Sequence, residues 1–148
     1  MSAPIIAANW KMNTTISEAT SLAQNIDSRL ENISGVKVLI FPPFMALSSV
    51  KNALDNSHIE VGAQNMYFRE RGAYTGEISP YMVAELCEWV ILGHSERRLV
   101  LGETGTDIAL KIRAALEHSI KPILCVGETL SERESKEAEN VIREQLSQ

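Results

Sequence analysis

Residues 89–98 read WVILGHSERR. An apolar run, Trp89–Leu92, ends abruptly at Gly93, and a histidine, a serine, a glutamate and two arginines follow it. A strand that only builds a core has no use for such a cluster at its end. The segment therefore predicts a buried β-strand that carries polar functional groups on the loop after it.

Four further apolar runs recur along the chain at intervals of roughly 23 to 32 residues, the spacing of a repeated strand–helix unit. The apolar residues in each run are continuous rather than alternating, which is typical of parallel strands covered on both faces. The runs are Ile5–Ala8, Val36–Phe41, Ile59–Ala63 and Pro122–Val126.

Amphipathic helical patterns separate these runs. Thr15 and Glu18 form a capping box at the start of one helix, and Ser79–Pro80 predicts the start of another before Met82–Cys87. Apolar stripes at helical spacing comprise Ile16, Ala19, Ala23, Ile26 and Leu30 in one helix, and Ile108, Ile112, Ala115 and Leu116 in a later one.

Ser131 and Glu134 predict a last capping box, at the start of a charged final helix. That helix would include Ala138, Val141, Ile142 and Leu146. Alternating strands and helices without a change of composition indicate one α/β domain over residues 1–148, with a parallel sheet. One long polar connection, Gly62 to Ser79, interrupts the rhythm, and such loops usually have a function.

Composition excludes several classes of function. The 148 residues carry a net charge of −5, so the sequence predicts no nucleic-acid surface. No apolar run approaches the roughly 18 residues that cross a membrane, and the start of the chain does not resemble a secretory signal. Cys87 and Cys125 lie in or beside apolar runs, so we interpret them as small buried thiols rather than as a disulfide.

Ligands of parallel α/β sheets gather at the carboxyl ends of the strands. There the chain presents Asn9 and Lys11 after the first strand, Gln64 after the third, and His94 and Glu96 after the fourth. A helical turn starting at His94 would disfavour protonation of its ring and keep the imidazole a neutral hydrogen-bond donor. Asn9, Lys11 and His94 together suit a small anion whose carbonyl oxygen becomes more negative in the transition state, and Glu96 would hold Lys11.

Each of these residues alone has a plainer interpretation: a solvated histidine, a surface lysine, and an asparagine that caps a turn. Arg97 and Arg98 are interpreted as structural ion-pairing groups. Convergence on one edge of the sheet favours a site, but pattern and spacing lead only to an α/β enzyme with its site at the strand ends.

Four segments carry a more specific signal. The stretches AANWKMN, QNMYFRERGAYTGEISP, WVILGHSERRLVLGE and PILCVGETLSERE resemble the triosephosphate isomerase family, in the right order and spacing. The resemblance implies the first five or so units of a (β/α)8 TIM barrel and the interconversion of dihydroxyacetone phosphate and glyceraldehyde 3-phosphate through an enediolate. It implies no cofactor, no metal, a homodimer and a cytoplasmic enzyme of glycolysis and gluconeogenesis.

Residue roles follow from the same resemblance. Asn9 and Lys11 would bind substrate, His94 would polarise the carbonyl and move protons, and Glu96 would support them. The loop around Thr75, with Gly76 and Gln64, resembles the family's dimer loop. Cys125 stands where the family has a buried structural cysteine.

The family fold has eight strand–helix units in about 250 residues, and this sequence supplies about five. No stretch of it resembles EPVWAIGTG, which carries the catalytic glutamate, or the phosphate-binding loops. Glu128 follows a strand but is interpreted as structural. We therefore expect the chain alone to be inactive or nearly so and to need the missing carboxyl-terminal half.

Two alternatives remain open at this point. A partial barrel could be a non-catalytic interaction module that binds through its open edges and its long loop. The second alternative is another sugar-phosphate isomerase or aldolase on the same barrel, although such enzymes lack the pairing of NWKMN with GHSERR.

Overall fold

The computed structural model describes residues 3–148. It contains five parallel strands that pair in chain order. The strands are β1 (Ile5–Asn9), β2 (Lys37–Phe41), β3 (Ile59–Ala63), β4 (Trp89–Leu92) and β5 (Lys121–Leu124). The helices are α1 (Ile16–Leu30), α2 (Leu47–Ala53), α3 (Pro80–Ala84), α4 (Ser95–Leu99), α5 (Gly105–Glu117), α6 (Leu130–Glu134) and α7 (Ala138–Ser147).

Each strand pairs with the strand that precedes it in the chain, as successive strands do in a (β/α)8 barrel. Trp89 of β4 faces Lys121 of β5, and Ile5 of β1 faces Lys37 of β2. The sheet does not close, so β1 and β5 each pair with one neighbour, and Ile5 and Ile6 of β1 are half exposed. The prediction of an α/β fold comprising about five units of a TIM barrel is confirmed.

Alternation along the strands produces two apolar faces. On the inner, concave side a small cluster contains Leu39, Phe41 and Ile91. The larger cluster lies on the outer side, where helices cover residues such as Ile40 and Val90. Both faces are apolar, which explains why the strands have continuous rather than alternating hydrophobic sequences.

Helix starts follow the predicted caps in two cases. The Thr15–Glu18 capping box is present at α1. The Ser79 hydroxyl accepts from the Met82 N–H at 3.2 Å, but α3 ends at Ala84 and does not reach Cys87.

The capping box predicted at Ser131 and Glu134 is wrong. Thr129 caps α6 instead: its hydroxyl accepts from the Glu132 N–H at 3.3 Å, and the Glu132 carboxylate accepts from the Thr129 N–H at 2.7 Å. The single predicted final helix is also divided. Lys136 has a φ of +61°, a left-handed conformation that separates α6 from α7.

Smaller differences concern packing. Leu116 is 62% exposed and lies off the buried side of α5, which carries Ile108, Ala114 and Ala115. Helix α2 was not predicted, although Leu47 and Val50 are buried at helical spacing. Both cysteines are free, as predicted; Cys87 is buried, whereas Cys125 is only half-buried.

Burial raises the pKa of the Cys87 thiol to about 11. No helix among residues 3–148 combines the length and apolar character needed to cross a bilayer.

Candidate active site

A cavity of about 400 Å³ lies at the carboxyl ends of the strands. Asn9, Lys11, Gln64, His94 and Glu96 all line it. The end of β1 and the loops after β1, β3 and β4 therefore bring five residues named from the sequence to one volume. This is the edge of a parallel sheet at which ligands bind.

The backbone of Lys11 adopts a left-handed conformation, with a φ of +55°. Two amide side chains hold it there. The Asn9 Oδ1 accepts from the Lys11 N–H at 2.9 Å, and the Gln64 Nε2 donates to the Lys11 carbonyl at 2.9 Å and to the Phe41 carbonyl at 2.8 Å. A strained backbone that neighbouring groups over-determine is common at functional sites.

The Lys11 ammonium forms the predicted ion pair with Glu96. Its Nζ lies 2.7 Å from the Glu96 Oε1. The hydrogen bond from Lys11, together with the positive charge of that ammonium, lowers the pKa of the Glu96 carboxyl despite its partial desolvation. Glu96 therefore remains charged at neutral pH and fixes the position of the lysine.

His94 is the N-cap residue of α4. Its Nδ1 accepts from the Glu96 N–H at 3.3 Å. Because Nδ1 acts as an acceptor, this arrangement assigns the ring proton to Nε2. The Glu96 Oε2 lies 3.5 Å from the same Nδ1, longer than a hydrogen bond, so the backbone N–H is the partner that sets the tautomer. In this tautomer the imidazole offers a donor at Nε2.

A buried ionic network lies behind the cavity. The Lys111 Nζ pairs with Glu103 and donates to the Asn65 Oδ1 at 3.0 Å. The Arg97 Nε lies 3.3 Å from the Glu103 Oε2 without making a hydrogen bond to it. Asn65 and Arg97 also line the cavity, so the network supports its wall. Lys111 is 4% exposed within an otherwise apolar stripe, and its place in the stripe gives no sign of this role.

The two arginines of GHSERR differ in their partners. Arg97 pairs with Glu103, as the ion-pairing interpretation predicts. For Arg98 that interpretation is wrong: within residues 3–148 it forms no ion pair, and its guanidinium donates to the backbone carbonyls of Gly93 and Cys125. Glu128 pairs with Arg133 at 2.7 Å, consistent with a structural role.

The three residues assigned to the dimer loop lie in different environments. Gln64 is bonded within its own chain to the carbonyls of Lys11 and Phe41. Gly76 lines the cavity and has a φ of +92°, whereas the adjacent Thr75 occupies an exposed turn. Of these three residues, Thr75 and Gly76 are exposed and Gln64 is partly buried.

Among residues 3–148, no group of three or more His, Cys, Asp or Glu residues is arranged to hold a metal ion. The five residues named from the sequence supply the cavity with an ammonium, an imidazole, two amides and a carboxylate. That set can bind an anion and stabilise negative charge on an oxygen.

Comparison with known proteins decides the family. The family profile described as triosephosphate isomerase matches residues 4–148. The chain belongs to the triosephosphate isomerase family. A triosephosphate isomerase of Dehalococcoides mccartyi is 52% identical over 144 residues, which are 97% of this chain and 57% of that protein. One of Herpetosiphon aurantiacus is 47% identical over 147 residues, 99% of this chain and 59% of that protein.

The fold agrees with the family. The crystal structure of triosephosphate isomerase from Bartonella henselae superposes with a TM-score of 0.92 at 38% identity, covering 98% of this chain and 60% of that one. The chain thus spans somewhat under two thirds of the relatives it matches. These matches give no support to a non-catalytic interaction module or to another sugar-phosphate enzyme.

Proposed function

We propose that this chain supplies the amino-terminal part of the active site of a triosephosphate isomerase. The reaction interconverts dihydroxyacetone phosphate and D-glyceraldehyde 3-phosphate through an enediolate, in glycolysis and gluconeogenesis, and needs no cofactor. The observation that carries the proposal is the shared cavity, in which Asn9, Lys11 and His94 reach the same small volume.

His94 is the electrophile and proton carrier in this proposal. Its Nδ1 is occupied by the Glu96 N–H, so Nε2 is the atom that donates to the substrate carbonyl. As a proton leaves the adjacent carbon, the carbonyl oxygen gains negative charge. A fixed donor and a nearby ammonium, that of Lys11, stabilise this charge without rearranging.

Lys11 and Asn9 bind the substrate in complementary ways. The Lys11 ammonium attracts the dianionic phosphorylated triose, and its pairing with Glu96 restricts where the charge lies. Asn9 holds the Lys11 backbone, so its contribution is to the shape of the site as well as to binding.

The base that removes the carbon-bound proton must come from outside the residues described above. Glu96 is engaged by Lys11, and the lowered pKa of its carboxyl makes it a weak base. The portion of the relatives beyond the matched region is the natural source of a base and a phosphate site. We propose that the active enzyme combines this chain with such a carboxyl-terminal half.

We further propose that the complete enzyme is a cytoplasmic homodimer. Thr75 and Gly76 form an exposed turn in the long loop between β3 and α3 that can reach a second subunit. Met12 is 96% exposed and lines the same cavity as Gly76, so the apolar rim of the cavity is available for such a contact.

The test uses the chain alone and a fusion protein. The fusion joins this chain to the part of the Dehalococcoides mccartyi relative that follows the matched region, and we call it the chimera. We expect isomerase turnover from the chimera and none that can be measured from the chain alone. Substituting His94→Gln in the chimera should lower kcat by about a hundred- to ten-thousand-fold, the range for positioned acid–base groups.

His58→Gln is the matched control, because His58 is exposed and does not line the cavity. Its kcat should equal that of the unsubstituted chimera. Turnover by the chain alone, or a His94→Gln chimera with unchanged kcat, would contradict the proposal.

A further inference from the structure

Arg98 connects the ends of two neighbouring strands. Its Nε donates to the Gly93 carbonyl at 2.7 Å, and its Nη2 donates to the Cys125 carbonyl at 3.2 Å. Its own backbone N–H donates to the His94 carbonyl at 3.1 Å. One residue of α4 therefore holds the carbonyls of Gly93 and His94 and anchors them to the end of β5.

The guanidinium acts where the pairing of β4 with β5 stops. The Cys125 N–H donates to the Leu92 carbonyl at 2.9 Å, and that bond is the last one of this ladder. The next carbonyls along the two segments, those of Gly93 and Cys125, are bridged by the planar fork of Arg98. Bonds from a charged donor are stronger than those between neutral groups, so the bridge extends the rigidity of the sheet by one residue.

Gly93 makes room for this bridge. A Cβ at position 93 would lie 2.8 Å from the Arg98 Nη2 and 3.2 Å from the Ile108 Cδ1. Gly93 also has a φ of +69°, which a side chain would strain. The residue immediately before His94 is thus fitted to the guanidinium in both its conformation and its lack of a side chain.

We propose that Arg98 is a positioning residue for His94, fixing the backbone from which the imidazole reaches the cavity. The proposal rests on the proposed function, since it assigns Arg98 to the geometry of the same site. The His94 Nε2 must meet a substrate oxygen within a fraction of an ångström, and a displacement of about 1 Å costs on the order of a hundredfold in rate. Arg98 supports the chemistry through His94 and touches no substrate itself.

The first test measures kcat and KM of the chimera with Arg98→Met and with Arg98→Lys. Methionine removes the donors, and lysine keeps the charge but cannot bridge two carbonyls with a planar fork. We expect kcat to fall about ten- to hundredfold in both, with KM changed less than about twofold, since Lys11 and Asn9 are untouched. Arg143→Met is the control: Arg143 pairs with Glu139 on the exposed side of α7, and the kcat of this variant should not change.

A double-mutant cycle separates positioning from a general loss of structure. If Arg98 acts through His94, then Arg98→Met should cost less than about twofold when His94→Gln is already present. Equal costs in the two backgrounds would overturn the proposal. So would an Arg98→Lys chimera with unchanged kcat, and this variant also decides the matter if Arg98→Met fails to fold.

A second readout does not need activity. The imidazole ¹⁵N resonances of His94 in the chimera should shift in the Arg98 variants and stay in place in Arg143→Met. If the unsubstituted chimera is inactive but these resonances shift, the proposed function fails and the role of Arg98 stands. If the chimera is active and neither kcat nor the resonances respond, the role of Arg98 fails and the proposed function stands.

Discussion

The Lys11 Nζ lies 2.7 Å from the Glu96 Oε1, and this contact ties the loop after β1 to helix α4. Both side chains are half exposed, so the pair contributes little to stability. The pair instead fixes the positions of the two side chains. The same glutamate donates its backbone N–H to the His94 Nδ1, so one residue orients both the ammonium and the imidazole of the candidate site.

This pair predicts a specific response to pH. The pKa of the Glu96 carboxyl is lowered, first by the hydrogen bond from Lys11 and then by the charge of its ammonium. A carboxyl whose pKa is lower in the folded state stabilises the fold above its unfolded pKa of about 4.3, and this contribution is lost as the pH falls through the folded value. Titrating the Glu96 side-chain carboxyl by ¹³C NMR in the chimera should give a midpoint below that of an ordinary glutamate.

In Lys11→Met the midpoint should rise towards that of an ordinary glutamate, because the largest stabilising contact is gone. Lys51→Met is the control and should leave the Glu96 midpoint unchanged, since Lys51 makes no contact with Glu96. An unchanged midpoint in Lys11→Met would show that the ion pair does not form in solution.

Gly62 of β3 predicts a second measurable effect. A Cβ there would lie 2.2 Å from the Phe41 Cε1 and 2.9 Å from the Trp89 Cβ, and Phe41 is fully buried. Gly62→Ala should therefore lower the free energy of unfolding by about 2 kcal/mol through overpacking. Urea unfolding of the chimera measures this.

Replacing the obstructing ring provides the internal check. Phe41→Leu alone should also destabilise, but Gly62→Ala should cost less in that background because the added methyl then has space. Additive costs would mean that the strain does not come from Phe41.

The start of α6 provides a third prediction. Thr129 makes the observed capping box, so Thr129→Ala should lower the free energy of unfolding by about 1 kcal/mol. Ser131 lies inside the helix, and Ser131→Ala should change stability by less than about 0.5 kcal/mol. If Ser131→Ala were the more destabilising of the two changes, the capping box predicted at Ser131 and Glu134 would be the correct one.

The parts of the fold that could be predicted depend on signals that are local. The Thr15–Glu18 capping box acts within one turn, and the run Trp89–Leu92 is recognisable from its own composition. Overlapping local signals were harder to resolve. Thr129 with Glu132 and Ser131 with Glu134 both fit a capping box, and the structure forms the one at Thr129.

The site residues that could be predicted are those that lie at the carboxyl ends of strands. Asn9, Lys11 and His94 share a cavity because parallel strands bring their carboxyl ends to one edge. The supporting contacts were not predictable in this way. Gln64 bonds to a carbonyl 53 positions away, and Arg98 to one 27 positions away. Such bonds to backbone atoms leave no pattern in the sequence, since any residue type can provide the carbonyl.

The buried network behind the cavity gives the last prediction. Lys111 and Glu103 are each at most 5% exposed at the side chain and pair with one another, and Lys111 also donates to the Asn65 Oδ1. Lys111→Met would leave the Glu103 carboxylate buried, and the remaining ion-pair partner among residues 3–148 is Arg97, whose approach makes no hydrogen bond. Loss of one partner of a buried pair costs about 3–5 kcal/mol, so urea unfolding of this chimera variant should show a reduction of that size.

Removing the second charge should then recover stability. In Lys111→Met with Glu103→Leu, no unpaired carboxylate remains, and replacing a whole buried pair by apolar groups is often close to neutral. The double variant should therefore unfold at a higher urea concentration than Lys111→Met alone. Lys51→Met, which removes an exposed lysine on α2, should change stability by less than about 0.5 kcal/mol. A double variant less stable than the single one would mean that Glu103 has a stabilising partner other than Lys111.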